Sequence, residues 1–203
     1  MELREALAQI SEIRDQLART ETFEGYRSAT VAASGLLALA AAGVQASWIP
    51  DPAARLSEYL TLWVAVAVVS VAITGIEMFA RCRRAASETA ARLTRMVVEQ
   101  FLPSLVVGAL LTVAIVVVAP ETAWMLPGLW ALVFGLGVFA SARLFPRPVT
   151  WVAAWYLLSG IACLAAAKRV EPLSPWLMVA TFGVGQLLAA AVVYLSVERK
   201  HAS

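Results

Sequence analysis

The chain has one histidine, His201, and two cysteines, Cys82 and Cys163, in 203 residues. A haem held by two axial histidines is thereby excluded, and a zinc centre of His and Cys at the usual spacing lacks ligands. Aspartate is confined to Asp15 and Asp51, one in the N-terminal extension and one in a proline turn, so no pair of intramembrane aspartates can form. There is no G-x-S-x-G elbow and no glycine-rich phosphate loop followed by Lys and Ser or Thr. A serine–histidine protease would lack its base. These absences predict a protein that is not an enzyme and carries no metal or cofactor.

Charge is also scarce. Only 15% of the residues are charged and 61% are hydrophobic, against about 25% and 45–50% in an average soluble domain. A soluble core of this size cannot hide that excess. A helix that crosses the hydrocarbon layer needs about 20 mostly apolar residues, because the layer is about 30 Å thick and the helix rises 1.5 Å per residue. Six stretches meet this requirement: 29–49, 58–80, 101–119, 123–142, 149–167 and 176–197. The predicted fold is therefore all-α: a polytopic integral membrane protein of six transmembrane helices, occupying residues 26–203. A cytoplasmic amphipathic helix over 1–25 precedes them.

Proline and acid recur in alternate connections, "IPDP" at 49–52, "APET" at 119–122 and "VEPLSP" at 170–175. Proline stops helices because it lacks an N–H and restricts the residue before it. Turns this short predict three antiparallel hairpins. The cations set their orientation. Thirteen of the sixteen Lys and Arg lie in the N-terminal segment, the 81–100 connection, the fourth connection and the C-terminus, and only Arg55, Lys168 and Arg169 lie on the other side. Cations near span ends stay cytoplasmic, which predicts both termini in the cytoplasm of a multi-pass plasma-membrane protein. The formal charge of +2 is then a topology signal and not a sign of nucleic-acid binding. Trp48, Trp124, Trp176 and Trp151 fall at span boundaries, where indole rings anchor at the headgroups. Cys82 and Cys163 fall at different depths, which argues against a disulfide between them. No cleavable signal peptide is apparent, since the first apolar run begins near residue 29 after a segment rich in both charges.

Within residues 1–25, Leu3, Ala6, Ile10, Ile13, Leu17 and Thr20 alternate by three and four, a short heptad seam. So short a helix is marginal alone and needs a surface. Residues 2–24 carry six acids against three arginines, whereas helices that lie on anionic lipid display cations. The basic connection 81–100 is the better match, with five arginines against Glu88 and Glu99 and with Leu93, Met96 and Val97 on one stripe. The expected interaction surface is Leu3, Ile10, Ile13 and Leu17 facing Leu93, Met96, Arg92 and Arg95, within one chain or across a subunit boundary. Its expected occupants are a second copy or a membrane or cytoplasmic protein, in addition to the lipid bilayer.

Polar groups inside the spans are few. Glu77 precedes Arg81 by four residues, the order in which acid and base pair on a helix. The expected role is an interfacial ion pair; the alternative is a proton or cation site, since ionisable groups in spans are functional candidates. Ser70, Thr112, Ser159 and Gln186 lie at mid-depth and are expected to serve as interhelical hydrogen-bonding groups, or, if they converge with Glu77, as a site for a small solute. The first span, with Ala38 and Ala42 at four-residue spacing, is expected to be a close-packed seam. "FGLG" at 134–137 and "FGVG" at 182–185 repeat between the fourth and sixth spans, within the range of chance for glycine-containing spans.

Two functions from different classes follow. The first is a non-enzymatic interaction or regulatory module that works through its acidic helix and basic connection. The second is a small-solute binding or transport protein. In architecture alone, a six-span chain of this length with both ends inside resembles the substrate-binding membrane subunits of energy-coupling-factor transporters. It carries no motif of theirs.

Overall fold

The computed structural model describes residues 28–85, 88–145, 147–166, 171 and 173–198. Among them there are helices and turns and no strand. Six helices are long and apolar enough to cross a membrane, so the chain is a multi-pass membrane protein. Only helices and closed barrels can span hydrocarbon, because every backbone N–H and C=O must be paired internally.

Helix α1 is Ser28–Trp48, α2 Leu56–Ala85 and α3 Glu88–Val118. A 3₁₀ turn, Pro120–Met125, leads into α4, Leu126–Ser141, which ends in a second 3₁₀ turn, Ala142–Leu144. Helix α5 is Val149–Ala166. Helix α6 covers 175–198 in four pieces, with π-helical turns at Val179–Gly183 and Tyr194–Glu198 around an α-helical Val184–Val193. The spans expected from hydropathy are thus recovered, with one revision. The basic connection 81–100 is not a separate segment: α2 continues to Ala85 and α3 already begins at Glu88. The expected amphipathic helix over 1–25, with Leu3, Ile10, Ile13 and Leu17, lies outside the described residues, as does His201.

The most extensive packing joins α1 to α6 and α4 to α5, followed by α3 with α4; α5 also packs on α6 and α1 on α2, and α2 touches α3 more lightly. The first and last helices therefore close the bundle. Lipid tails are as apolar as leucine, so helices in a membrane associate through close contact and hydrogen bonds more than through hydrophobic burial. Small residues occupy the contacts accordingly. On α1 the buried positions are Val31, Ser34, Gly35, Ala38, Ala41, Ala42 and Gln45, so the expected Ala38/Ala42 seam is internal to the chain. At the α4/α5 crossing, a Cβ on Gly128 would lie 2.9 Å from the Gly160 carbonyl oxygen, and one on Gly160 would lie 2.9 Å from that of Gly128. Two backbones touch there directly.

The two "FG" motifs meet in one aromatic core. Phe134 and Phe182 stand edge to face with ring centroids 5.6 Å apart, and both contact Tyr156. Phe101 adds an edge-to-face contact with Phe134 at 5.1 Å. The last glycine of each motif seats a ring. A Cβ on Gly137 would be 2.9 Å from the Phe101 ring, and one on Gly185 2.5 Å from the Tyr156 ring. The repeat thus has a packing role in both places: an aromatic residue of α3 or α5 fits onto a glycine of the next helix.

By contrast α2 and α3 leave most of their apolar surface uncovered, with Val68, Ile76, Leu110 and Val117 each more than half exposed. Lipid can cover such faces at no cost relative to another helix.

Candidate functional site

Helices α2 and α3 have 30 and 31 residues, about 45 Å each at 1.5 Å per residue. That exceeds the hydrocarbon thickness by about 15 Å. Their surplus turns hold the arginines. At the end of α2, Arg81 lies 3.4 Å from Glu77, and the Arg83 guanidinium sits over the Phe79 ring at 5.8 Å. At the start of α3, Arg95 pairs with Glu99 at 2.6 Å while Arg92 is exposed. One apolar contact fixes the two ends together: Leu93 and Val97 are buried and packed with Met78 of α2 and with Leu144 and Phe145 after α4. That contact also brings exposed Arg143 and Arg147 to the same end. Seven arginines against Glu77, Glu88 and Glu99 make this end of the bundle strongly basic.

Of the expected interaction surface, Arg92 and Arg95 are exposed and Met96 is half-buried. Leu93 differs. It is 9% exposed against the chain's own residues, so it holds the basic end together rather than presenting itself to a partner.

The five expected solute residues are not joined: among the described residues no hydrogen bond links any two of them. Glu77 is half-buried and paired with Arg81. The Thr112 hydroxyl donates to the Gly108 carbonyl at 2.8 Å and accepts from the Trp130 indole N–H at 2.8 Å, an interhelical bond between α3 and α4. Ser159 donates to the Tyr156 carbonyl of its own helix. Gln186 lies with its Cβ against Gly35 of α1, and Ser70 is half-buried on α2.

The structure builds a different polar cluster, at the opposite end of the bundle. Gln45 of α1 is fully buried. Its Nε2 donates to the Leu173 carbonyl at 2.7 Å, and its Oε1 accepts from the Trp63 indole N–H at 2.7 Å. One amide thus ties α1, α2 and the segment before α6. Leu173 is itself buried and has φ = 64°, a left-handed conformation that costs a branched residue about 1–2 kcal/mol. The surrounding contacts hold it there: Leu173 belongs to an apolar cluster with Ala38, Ala41, Ala42, Tyr59, Trp63 and Met178. Tyr59 is fully buried, and its hydroxyl has no hydrogen-bond partner among the described residues.

Sequence reasoning passed over Gln45 because it sits four residues from the end of the first span, where a glutamine is cheap if it reaches the interface. The available signal was the pairing of a glutamine with Tyr59 and Trp63, two hydrogen-bonding aromatics one turn apart at the start of the next span. The tryptophans divide the same way. Trp48, Trp151 and Trp176 are more than 70% exposed at helix ends, as boundary anchors are. Trp63, Trp130 and Trp155 donate their N–H groups within the bundle, the last to the Ala180 carbonyl in the first π turn of α6.

Groups of three or more metal-ligating side chains are absent among the described residues. No protein-family model, curated protein or solved structure matches this chain.

Proposed function

We propose that this protein is a non-enzymatic membrane module that recruits or regulates an acidic protein partner, or a second copy of itself, through the basic end of α2 and α3. The observation that carries the reading is the gathering of seven arginines, five on the ends of α2 and α3 that outrun the hydrocarbon and two after α4, around the contact of Leu93 and Val97 with Met78, Leu144 and Phe145. A rigid basic platform selects an acidic, helical partner by charge and register, although single exposed ion pairs contribute only about 0–1 kcal/mol. The chain's own residues 2–24, with a net charge of −3 and a heptad seam, have the complementary chemistry. In this reading the six spans form three antiparallel hairpins in the plasma membrane, with both termini and the arginine end in the cytoplasm.

Cysteine cross-linking in intact membranes tests it. A pair placed at Ile10 or Leu17 and at Met96 is expected to cross-link, within a chain or between two, and reversing Arg92 and Arg95 to glutamate is expected to abolish the product. Absence of any cross-linked species, with the variants inserted at normal levels, refutes the reading. The alternative, a small-solute binding or transport protein, is supported by the cluster around Gln45 and Tyr59 rather than by Glu77, Ser70, Thr112, Ser159 and Gln186.

A further inference from the structure

We infer that the connection between α4 and α5 is the headgroup site of one anionic phospholipid, whose phosphate is held by Arg143 and Arg147 and whose chains lie on the outward faces of the two helices. The way the connection is pinned is the first ground. Its middle, Leu144 and Phe145, is drawn against Leu93 and Val97 of α3. On one side the Phe145 N–H bonds to the Ala142 carbonyl at 3.2 Å. On the other, the Thr150 N–H bonds to the Arg147 carbonyl at 3.2 Å and the Trp151 N–H to the Pro148 carbonyl at 3.1 Å. With the apolar middle tucked in and both shoulders tied to helix ends, Arg143 and Arg147 stand exposed on either side of it. Four residues of chain keep their Cα atoms within about 14 Å, so two long side chains can converge on one phosphate.

The second ground is uncompensated charge. At this end Glu77 and Glu99 are paired with Arg81 and Arg95, and the Arg83 guanidinium lies over the Phe79 ring. The side chains of Arg143 and Arg147 have neither an ion pair nor a hydrogen bond among the described residues. A guanidinium fork matches a phosphate through two parallel N–H bonds.

Continuity with uncovered apolar surface is the third ground, and it distinguishes a lipid from a free phosphate. On α4, Leu136 and Phe139 share the outward face, and Arg143 follows one turn on. On α5, Trp151 comes one turn after Arg147, and Leu158 lies seven residues further along the same face. All four apolar residues are more than half exposed. Each stripe thus leads from hydrocarbon to a cation at the boundary, as a phospholipid leads from chain to phosphate. Trp151 adds a donor at that depth. Its indole N–H makes no hydrogen bond among the described residues, whereas those of Trp63, Trp130 and Trp155 bond within the bundle. The other end of the bundle lacks this arrangement among the described residues: exposed stripes finish in Trp48 and Trp176, and Arg55 is paired with Glu58. The anionic preference therefore belongs to one leaflet.

The test is native mass spectrometry of the purified full-length protein, titrated in mild detergent with phosphatidylglycerol or phosphatidylcholine. One phosphatidylglycerol is expected to stay bound under conditions that strip phosphatidylcholine. Arg143→Gln combined with Arg147→Gln is expected to weaken it by more than about tenfold, since each arginine near a lipid surface contributes about fivefold. Arg83→Gln combined with Arg84→Gln removes the same charge from the same end and is expected to leave binding nearly unchanged. Equal retention of the two lipids overturns the inference, and so does equal weakening by the two variant pairs, which would assign the preference to the general field of the basic end. Displacement of the lipid by inorganic phosphate, or by an acidic peptide of residues 2–24, overturns it as well, making the corner a phosphate site or a protein-docking surface. The cross-linking test above depends on Arg92 and Arg95, so either proposal can fail without the other.

Discussion

The packing of α4 on α5 predicts that one substitution, glycine to alanine, changes sign with position. A Cβ on Gly128 would stand 2.6 and 2.8 Å from Leu164 Cγ and Cδ2 and 2.9 Å from the Gly160 carbonyl oxygen. Carbon atoms in favourable contact are about 3.5–4.0 Å apart, so about 1 Å must be found. Leu164 can turn aside, but the Gly160 carbonyl belongs to a helix backbone and can yield only if the helices separate. Overpacking of this kind costs about 1–3 kcal/mol, and a middle value near 2 kcal/mol lowers the folded ratio about 30-fold. At Gly43, Gly75 and Gly108 an added Cβ meets nothing within 4 Å. There alanine is the better helix former by up to about 1 kcal/mol, so each change is expected to be neutral or stabilising. The assay is reversible unfolding in mixed micelles, followed by the fluorescence of the internal tryptophans. Gly128→Ala as mild as Gly108→Ala would refute the crossing. Gly75→Ala or Gly108→Ala as harmful as Gly128→Ala would refute the lipid-facing assignment and indicate that a second copy covers those faces.

Further outcomes can be stated briefly. Gly128→Ala combined with Gly160→Ala should cost less than the two singles added, since both press on one contact, and a double-mutant cycle measures the shortfall. Leu93→Ala removes the apolar contact that holds the basic ends of α2 and α3 together in the water-facing turns, where hydrophobic burial does count; a loss of about 2–3 kcal/mol is expected, with faster proteolysis near Ala85. Glu77→Gln should cost under about 1 kcal/mol, as an interfacial pair with Arg81 implies; a large loss of a cellular phenotype with normal insertion would revive a cation or proton role. Trp130→Phe, which removes the donor to Thr112, should cost about 0.6 kcal/mol, the usual value of an interhelical hydrogen bond in a membrane, and Thr112→Val should add little to it.

How much of this was legible in the sequence follows from which forces act locally. The thickness of hydrocarbon and the demand for internal backbone pairing are properties of any 20-residue apolar stretch, so six spans could be counted from the chain without any tertiary knowledge. The small-residue face of α1 was legible for a similar reason, because Ala38 and Ala42 share a face by helical spacing alone. Glu77 with Arg81 was legible as an i, i+4 pair. All three depend on neighbours within one helix.

What only the tertiary structure decided is which residues of different helices meet. Hydropathy marks Gly75 and Gly128 alike as apolar span residues, yet one faces open space and the other a backbone carbonyl of α5. Depth marks Gln186 as a polar candidate along with Ser70, Thr112 and Ser159, whereas Gln45, near a span end, is the fully buried amide bonded to two other segments. Helical spacing puts Leu93 on an apolar stripe of the 81–100 connection, expected to face Leu3, Ile10, Ile13 and Leu17, whereas the run-on of α2 and α3 packs it against Met78, Leu144 and Phe145. In each case the sequence determined the helix and the depth, because these follow from the solvent. The rotation of each helix about its axis was left to packing between chain segments far apart in sequence, and the candidate sites depend on that rotation.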